Sequence, residues 1–335
     1  MTVHLLLVSV TPSLCSVYKG QSSNRSFKSQ TAHMLSDSTS HISVCICTFK
    51  RPPLLKRLLQ TLEEQETDGL FTFSIVVADN DGARSAETLV AEFAADAAIA
   101  VTYCVQPQQN ISLTRNKAIE NATGDYIAFI DDDQFPIKRW LVTLFRALNE
   151  YKVDGVLGPV KRYFDQPPPD WVIKGDFYQR ATYDTGLVID WRKGRTGNVL
   201  LKRSLFAGDA RPFRPEFRQG EDQDFFHRMI EKGYRFIWCN EAEAYEVVPP
   251  IRWNRRFMVR RALLRGAMEP QTPGFGARSI IKSLVAVPIY LAVLPFAAIA
   301  GHHKFMTVLV SLCDHLGKLL AVLGFNPVKE QYVTE

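Results

Sequence analysis

Short apolar runs alternate with amphipathic segments along the first half of the folded part of the chain, from residue 41 to residue 151. The apolar runs predict strands at residues 41–48, 73–78, 99–105 and 126–130. The amphipathic segments predict helices at residues 52–62, 85–95, 112–121 and 136–151. This alternation indicates an α/β fold with a parallel, Rossmann-like sheet and helices on both faces.

Beyond residue 155 the apolar runs are shorter and less regular. They predict a helix at residues 222–232 and strands at residues 156–163, 197–202, 235–238 and 244–248. No G-x-G-x-x-G motif follows the first predicted strand, so the sequence lacks the dinucleotide-binding fingerprint.

The two ends of the chain differ in character from its centre. Residues 1–40 contain a short apolar run and then a stretch rich in Ser, Thr, Gln and Asn, which predicts a disordered N-terminal extension. The main folded domain is expected at residues 41–250. Six arginines predict a basic amphipathic helix at residues 251–270, and an apolar helical tail follows at residues 271–335.

The tail contains two apolar runs, at residues 284–300 and 305–325. The first has 17 residues without a charge, which is near the lower limit for crossing a membrane. A buried core helix is the alternative interpretation. Pro288 and Pro295 inside the first run, together with the charged residues that flank it, favour a membrane-embedded or re-entrant helix pair.

Composition indicates the size of the core and the classes of partner to expect, but it does not indicate a function. The chain has 335 residues, of which 46% are hydrophobic, and a formal net charge of +5, so a large core is expected and no nucleic acid is expected as a partner. Its six cysteines form no C-x-x-C pair and no zinc-site spacing with histidine. Buried, reduced thiols in a cytosolic compartment are the expectation.

Three consecutive carboxylates, Asp131, Asp132 and Asp133, directly follow the fourth predicted strand. Open α/β sheets bind ligands at the carboxyl ends of their strands. Adjacent carboxylates repel one another unless a cation lies among them, so Asp131 and Asp133 are candidate ligands of a divalent metal that bridges to a substrate phosphate. A solvated turn after the strand is the alternative, because Asp favours turns.

Further motifs follow the predicted strands in a fixed order. They are Thr48 and Asp79 at strand ends, Arg115-Asn116 in the third helix, the Asp131–Asp133 D-x-D, Gly197-Asn198, and Glu221-Asp222 at a helix start. This series resembles glycosyltransferase family 2, over about residues 41–265. The resemblance implies an inverting enzyme with a GT-A fold, a Rossmann-like nucleotide-sugar-binding mixed sheet. The arginine-rich tail is also similar to bacterial exopolysaccharide enzymes of the succinoglycan type.

The resemblance implies a role for each position. Asp222 is expected to be the catalytic base, with Glu221 beside it near the acceptor. Asp131 and Asp133 are expected to bind the metal, Mn²⁺ or Mg²⁺. The residues expected to bind the nucleotide sugar are Thr48, Asp79 (at the uracil edge), Arg115, Asp132 (at the ribose), Gly197 and Asn198. Many relatives have a histidine near Glu246, where this chain has none, so no donor-side histidine is assigned.

The expected function is therefore metal-dependent transfer of a sugar from a nucleoside-diphosphate sugar, with UDP as the expected nucleotide. The expected acceptor is a lipid-linked saccharide, and the expected location is the cytoplasmic face of a bacterial inner membrane. A polysaccharide-assembly complex is a further expected partner. Two alternatives stay open: synthesis of a polyprenyl-phosphate sugar, and an inactive nucleotide-sugar-binding scaffold. Considered without the resemblance, Glu221 and Asp222 are also compatible with the acidic first turn of a helix.

Overall fold

Ten strands, nine α-helices and four short 3₁₀-helices make up the regular structure of the described residues. The structure is a computed structural model that describes residues 39–217, 220–272 and 274–325. The predicted extension, residues 1–40, lies outside the described residues except for its last two. The first strand begins at Ser40, one residue earlier than predicted.

The strands and helices are numbered separately in chain order. The strands are β1 (Ser40–Thr48), β2 (Phe71–Asp79), β3 (Val101–Val105), β4 (Tyr126–Asp131), β5 (Gln134–Pro136), β6 (Gly155–Leu157), β7 (Val160–Tyr163), β8 (Asn198–Lys202), β9 (Phe236–Trp238) and β10 (Ala244–Val247). The helices are α1 (Pro52–Glu63), α2 (Glu87–Asp96), α3 (Ile111–Asn121), α4 (Trp140–Glu150), α5 (Asp170–Lys174), α6 (Glu221–Glu231), α7 (Arg255–Met268), α8 (Ala277–Ile299) and α9 (His302–Val322).

Seven strands form one mixed sheet in the order β3-β2-β1-β4-β8-β6-β9. The strands β3, β2, β1 and β4 are parallel, as the alternating pattern predicts, while β8 is antiparallel to both β4 and β6. In this register Thr48 pairs with Asp79, and Cys47 pairs with Asp131. The strand ends that carry the predicted motifs therefore meet at one edge of the sheet.

Each face of this sheet carries its own hydrophobic core. Side chains of α1 and α4, among them Leu58 and Trp140, are fully buried on one face. Side chains of α3 and α6, among them Ala118 and Phe225, are fully buried on the other. The strands of the centre are apolar on both faces, as expected for a sheet covered on both sides. The predicted α/β fold with helices on both faces is confirmed.

Two elements of the sheet domain differ most from the sequence prediction, and the basic helix predicted from residue 251 begins at Arg255. The predicted strand at residues 156–163 is divided by Gly158-Pro159, so β6 joins the large sheet and β7 joins a three-stranded sheet in the order β5-β10-β7. A side chain at Gly158 would collide with the carbonyl oxygen of Ala242, which explains the glycine at this bend. The helix predicted from residue 136 begins at Trp140, because β5 occupies the residues before it.

The C-terminal helices pack on one another through small residues. A side chain on Gly266 of α7 would collide with the backbone of Asp314 in α9, and one on Gly317 of α9 would collide with the backbone of Leu263. The helices therefore cross in backbone contact. Within the described residues, α8 and α9 are long and apolar enough to cross a membrane by length and composition. The face of α8 is exposed at Ile281, Leu284, Val285, Ile289, Leu291, Val293, Phe296 and Ile299.

Replacing Gly317 with Ala tests this crossing. The added methyl group must push α9 away from Leu263, and overpacking of this kind costs about 1–3 kcal/mol. We expect a lower melting temperature for the detergent-solubilised Gly317→Ala protein. Gly276→Ala is the matched control, since no atom lies within 4 Å of a Cβ there. Equal melting temperatures for both variants and the wild type would contradict the described crossing.

Candidate active site

A cleft of about 680 Å³ opens at the carboxyl ends of β1 and β4. Its volume falls in the range of roughly 300–1,000 Å³ that is typical of small-molecule sites. The polar residues of its wall include Thr48, Arg51, Asn80, Asp131, Asp132, Asp133, Glu246, Arg252 and Arg261. Acidic and basic side chains thus face each other across one concave surface.

The aspartates of this cleft are held by a hydroxyl group and two guanidinium groups. The Thr48 hydroxyl donates to Asp132 Oδ2 at 2.8 Å, and Arg51 lies 3.3 Å from Asp132 and 3.5 Å from Asp133. Arg252 donates to Asp133 at 3.1 Å. The three carboxylates are buried or half-buried, so these contacts replace part of the water that would otherwise solvate them.

Burial makes ionisation of two of these carboxyl groups costly. Loss of water raises the pKa of Asp132 to about 7, while Arg51 opposes the rise and Asp133 adds to it. Loss of water also raises the pKa of Asp131 to about 6, against the opposing charge of Arg115. A cation in the cleft would favour the charged forms of both groups.

The surroundings of Asp131 fit a hard cation. Gly197 lies so close that a Cβ there would be 2.6 Å from Asp131 Oδ2, and Gln134 donates to the same oxygen at 3.2 Å. The side-chain oxygen of Gln134 is buried and has no partner in the described part of the chain. Oxygen donors of this kind suit Mg²⁺ or Mn²⁺.

The described residues contain no group of three or more His, Cys, Asp or Glu side chains arranged to hold a metal ion. Mg²⁺ commonly binds through one or two carboxylates together with water and substrate phosphates. A site built on Asp131 and Asp133 therefore fits a cation that binds together with a phosphorylated substrate.

Cys47 lies on the cleft wall, beside Asp131 in the sheet register. Burial raises the pKa of its thiol to about 12, with the opposing charge of Arg115 and the added effect of Asp131. A thiol with this pKa is protonated at neutral pH and is a poor nucleophile.

The structure places Asp79 behind the cleft wall. Its carboxylate is fully buried and accepts hydrogen bonds from the backbone N–H groups of Asp81 and Ala86 and from the Tyr103 hydroxyl, each at 2.9 Å. Asp79 Oδ1 accepts only one of these bonds and could accept another. Because the carboxylate is fully buried, a nucleotide base would have to reach it past the residues that cover it. The next residue, Asn80, lines the cleft instead.

Arg115, Glu221 and Asp222 lie together at the start of α6. Arg115 and Glu221 form a buried ion pair, and burial raises the pKa of Glu221 against the opposing charge of Arg115. Asp222 is half-buried, and its Oδ1 accepts the N–H of Gln223 at 2.8 Å. The ion pair with Arg115 holds Glu221, and Asp222 follows it in the first turn of α6. None of these three residues is among the described residues that line the cleft.

Asn198 is tied into the fold by three buried hydrogen bonds. Its amide oxygen accepts from the Trp140 indole at 2.7 Å, and its amide nitrogen donates to the carbonyl oxygens of Pro159 at 2.9 Å and Ala242 at 2.8 Å. These bonds join α4 to the start of β8. Asn198 therefore positions Gly197 beside Asp131, whereas its own polar atoms are occupied by protein partners.

Two residues contribute to the site in a way that sequence patterns did not indicate. Arg252 bridges Asp133 and Glu246, at 3.1 Å and 2.9 Å, although it lies 119 residues from Asp133. Arg51 lies three residues after the predicted strand-end residue Thr48. This closeness to the sheet edge was the only indication in the sequence that Arg51 could reach the site. Arg252 was expected only as part of a basic helix, because its partners depend on the packing of the C-terminal segment.

Comparisons with known proteins agree on one family. The family model described as glycosyl transferase family 2 matches residues 43–215. Succinoglycan biosynthesis protein ExoM of Rhizobium meliloti (strain 1021) is 32% identical over 230 residues, which cover 68% of this chain and 74% of that protein. Hyaluronan synthase of Pasteurella multocida is 24% identical over 244 residues, which cover 62% of this chain and 25% of that protein.

A solved structure shares the fold. It is that of the mannosyltransferase PcManGT from Pyrobaculum calidifontis in complex with GDP-Man and Mn²⁺, which superposes with a TM-score of 0.59. The two sequences are 17% identical, and the likeness covers 88% of this chain and 89% of that one. It confirms the predicted fold class, and at this identity it shows the fold alone.

The raised pKa of Asp132 predicts a pH-dependent effect of the Asp132→Asn substitution. The folded state holds the proton more tightly than the unfolded state, so the wild type loses stability as the pH rises from about 4 to about 7. Asn does not titrate and escapes this loss. We expect the melting temperature of the variant, relative to wild type in detergent with EDTA, to rise over this range and then to level off.

The control is Asp96→Asn, at the exposed end of α2, which should show no such trend. A difference between Asp132→Asn and wild type that stays constant with pH would contradict a raised pKa at Asp132.

Proposed function

This chain belongs to glycosyltransferase family 2, and we propose that it is an inverting, metal-dependent enzyme of that family. Its proposed donor is a nucleoside-diphosphate sugar, with UDP as the nucleotide. Its proposed acceptor is a lipid-linked saccharide used in exopolysaccharide or other cell-surface glycan synthesis. ExoM, which is similar over most of its length, is by its printed name a succinoglycan biosynthesis protein.

The observation that carries this proposal is the meeting of acidic and basic side chains in one cleft. A nucleoside diphosphate carries negative charge that arginines can neutralise, and Arg51 and Arg252 both lie on the cleft wall. Asp131 and Asp133 would hold Mn²⁺ or Mg²⁺, which supplies further positive charge for the departing diphosphate. The structural neighbour PcManGT was solved with GDP-Man and Mn²⁺.

The proposed division of work among the nucleotide-sugar contacts follows from position. Thr48 and Asp132 are hydrogen-bonded to each other at the cleft, and we propose that Asp132 accepts from the ribose. Gly197 packs directly against Asp131 Oδ2, and we propose that its backbone borders the donor sugar beside that carboxylate.

Asn80 lies on the cleft wall where Asp79 does not, and it is a further candidate for contact with the base. Its amide nitrogen already donates to the carbonyl oxygens of Gln106 and Gln108, so such a contact would use an acceptor atom of Asn80.

Asp222 is the proposed general base. Inversion in a single step requires a base that takes the proton of the acceptor hydroxyl as this oxygen attacks the anomeric carbon, and a carboxylate can serve. The ion pair of Arg115 with Glu221 ties α3 to the first turn of α6, in which Asp222 follows Glu221. The protonated thiol of Cys47 agrees with a reaction that needs no covalent intermediate.

Membrane association is proposed from the C-terminal helices. The helices α8 and α9 are long and apolar, and α8 exposes a row of large apolar side chains. A surface of this kind suits lipid, and the basic helix α7 beside it suits anionic headgroups. We place the enzyme at the cytoplasmic face of the bacterial inner membrane, where a lipid-linked acceptor is within reach.

The test is nucleotide release by the purified, detergent-solubilised protein from a panel of UDP-, GDP- and dTDP-sugars, with membrane lipid extract as the acceptor source. We expect release from one UDP-sugar, loss of release with EDTA, and a decrease of about 10²–10⁴-fold in Asp222→Asn because the base is removed. Glu231→Gln, at the exposed far end of the same helix, is the matched control.

Unchanged turnover in Asp222→Asn would contradict its role as the base, and turnover unaffected by EDTA would contradict the metal. A product in which the sugar is attached directly to a polyprenyl phosphate would contradict the saccharide acceptor and would identify the enzyme as a polyprenyl-phosphate sugar synthase. Metal-dependent binding of a donor without any release, with lipid extract present, would favour a binding scaffold.

A further inference from the structure

A second cavity, of about 250 Å³, adjoins the cleft and contains four arginines. We call it the arginine cavity and define it by Arg162, Arg180, Arg261 and Arg265, with Tyr178 and Glu246 on the same wall. Glu246 and Arg261 line both the cleft and this cavity, so the two are neighbours. Nothing in the proposed transfer chemistry uses the arginine cavity itself.

Three of these arginines have carboxylate partners. Arg162 pairs with Asp176 at 3.0 Å, Arg265 pairs with Asp314 at 2.9 Å, and Arg180 pairs with Glu246. Arg252 lies beyond the wall and shares Glu246 at 2.9 Å. The carboxylates near the cavity are therefore already matched by arginines.

Arg261 is the cation in excess. Within the described residues its side chain forms no ion pair, and its guanidinium lies 6.0 Å from the centre of the Tyr178 ring. Loss of water, and then the charge of Arg252, lower the pKa of Arg261. More than a third of the residue nevertheless stays accessible. A positive charge that is partly desolvated, unpaired and accessible favours an anion beside it.

The wall that faces Arg261 is held in an unusual backbone conformation. Asp176 and Tyr178 both have positive φ angles, 53° and 68°, which are uncommon for residues other than glycine. The Tyr178 hydroxyl donates to the carbonyl oxygen of Arg252, and Arg162 donates to the carbonyl oxygen of Phe177 at 2.7 Å. Strain that is fixed by such bonds is found most often at binding and catalytic sites.

The volume of the arginine cavity and the residues around it limit the kinds of ligand that it can hold. The volume is below the roughly 300–1,000 Å³ of sites for drug-sized molecules, so the cavity suits a small anionic group rather than a nucleotide sugar. Its apolar wall includes Met258 of α7 and Val310 of α9. The same α9 packs with the apolar α8, so a ligand here has an apolar helix pair beside it.

We propose that the arginine cavity binds the diphosphate group of the membrane-lipid acceptor, with Arg261 as its principal contact. The lipid chain lies along α8 and α9, and the saccharide beyond the diphosphate extends past Glu246 into the cleft. This assignment rests on the lipid-linked acceptor of the proposed function. Beyond that function, we specify that a diphosphate joins the lipid to the saccharide and that the arginine cavity binds this diphosphate.

The test is binding of farnesyl diphosphate to the detergent-solubilised full chain, measured by calorimetry in Mn²⁺, first without UDP and then with saturating UDP. Farnesol, which lacks the diphosphate, and inorganic pyrophosphate, which lacks the chain, are the matched ligand controls. We expect Arg261→Gln to weaken farnesyl diphosphate binding by about tenfold or more, since a charge-assisted contact is lost. Arg261→Lys should recover part of it.

Arg255→Gln is the matched control variant, because Arg255 is exposed on the same helix and is not part of the cavity wall. It should bind farnesyl diphosphate as the wild type does. An equal loss in Arg255→Gln and Arg261→Gln, or no loss in Arg261→Gln, would overturn the assignment. If pyrophosphate bound as tightly as farnesyl diphosphate, the lipid chain would contribute nothing to binding, and the assignment of the cavity to a lipid diphosphate would be wrong.

Binding of UDP, measured in parallel, separates this proposal from the proposed function. Displacement of farnesyl diphosphate by UDP would place both diphosphates in the cleft and overturn the separate site. Binding of farnesyl diphosphate that depends on Arg261, in a protein that neither binds nor turns over a nucleotide sugar, would support the cavity and count against the proposed function alone.

Discussion

The cost of holding carboxylates out of water at the end of β4 is the constraint on which the rest of the site depends. A buried apolar strand delivers Asp131 and Asp132 to a place where ionisation is unfavourable, and the pKa values of about 6 and about 7 express that cost. Thr48 and Arg51 offset part of it. In the proposed function, a divalent cation would offset the remainder.

The same constraint connects the cleft to the C-terminal helices. Asp133 accepts from Arg252, Arg252 also donates to Glu246, and Glu246 pairs with Arg180 on the wall of the arginine cavity. Charges thus alternate in sign from the sheet edge towards α7. This network ties the segment that follows β10 to the cleft, and it joins the cleft to the arginine cavity.

Much of this arrangement was predictable from local sequence, and the reasons for the remainder are physical. Parallel strands align their carboxyl ends, so Thr48 and Asp131 were expected at one edge, as the structure has them. The bend at Gly158-Pro159 brings the backbone of Gly158 against the carbonyl oxygen of Ala242, where a side chain would collide, and no local pattern contains this distant contact. The partners of Arg252 are equally distant in sequence. Family-derived roles, such as that of Asp79, stay predictions.

We propose that Asp131 and Asp133 hold a divalent cation for which protons compete. Electron paramagnetic resonance of Mn²⁺ titrated into the purified chain measures this directly, because bound and free Mn²⁺ differ in signal. We predict that binding tightens by roughly tenfold between about pH 6 and about pH 8, as Asp131 and Asp132 lose their protons, and that an Asp131→Asn, Asp133→Asn double variant does not bind. Binding that is independent of pH, or that persists in the double variant, would contradict the account.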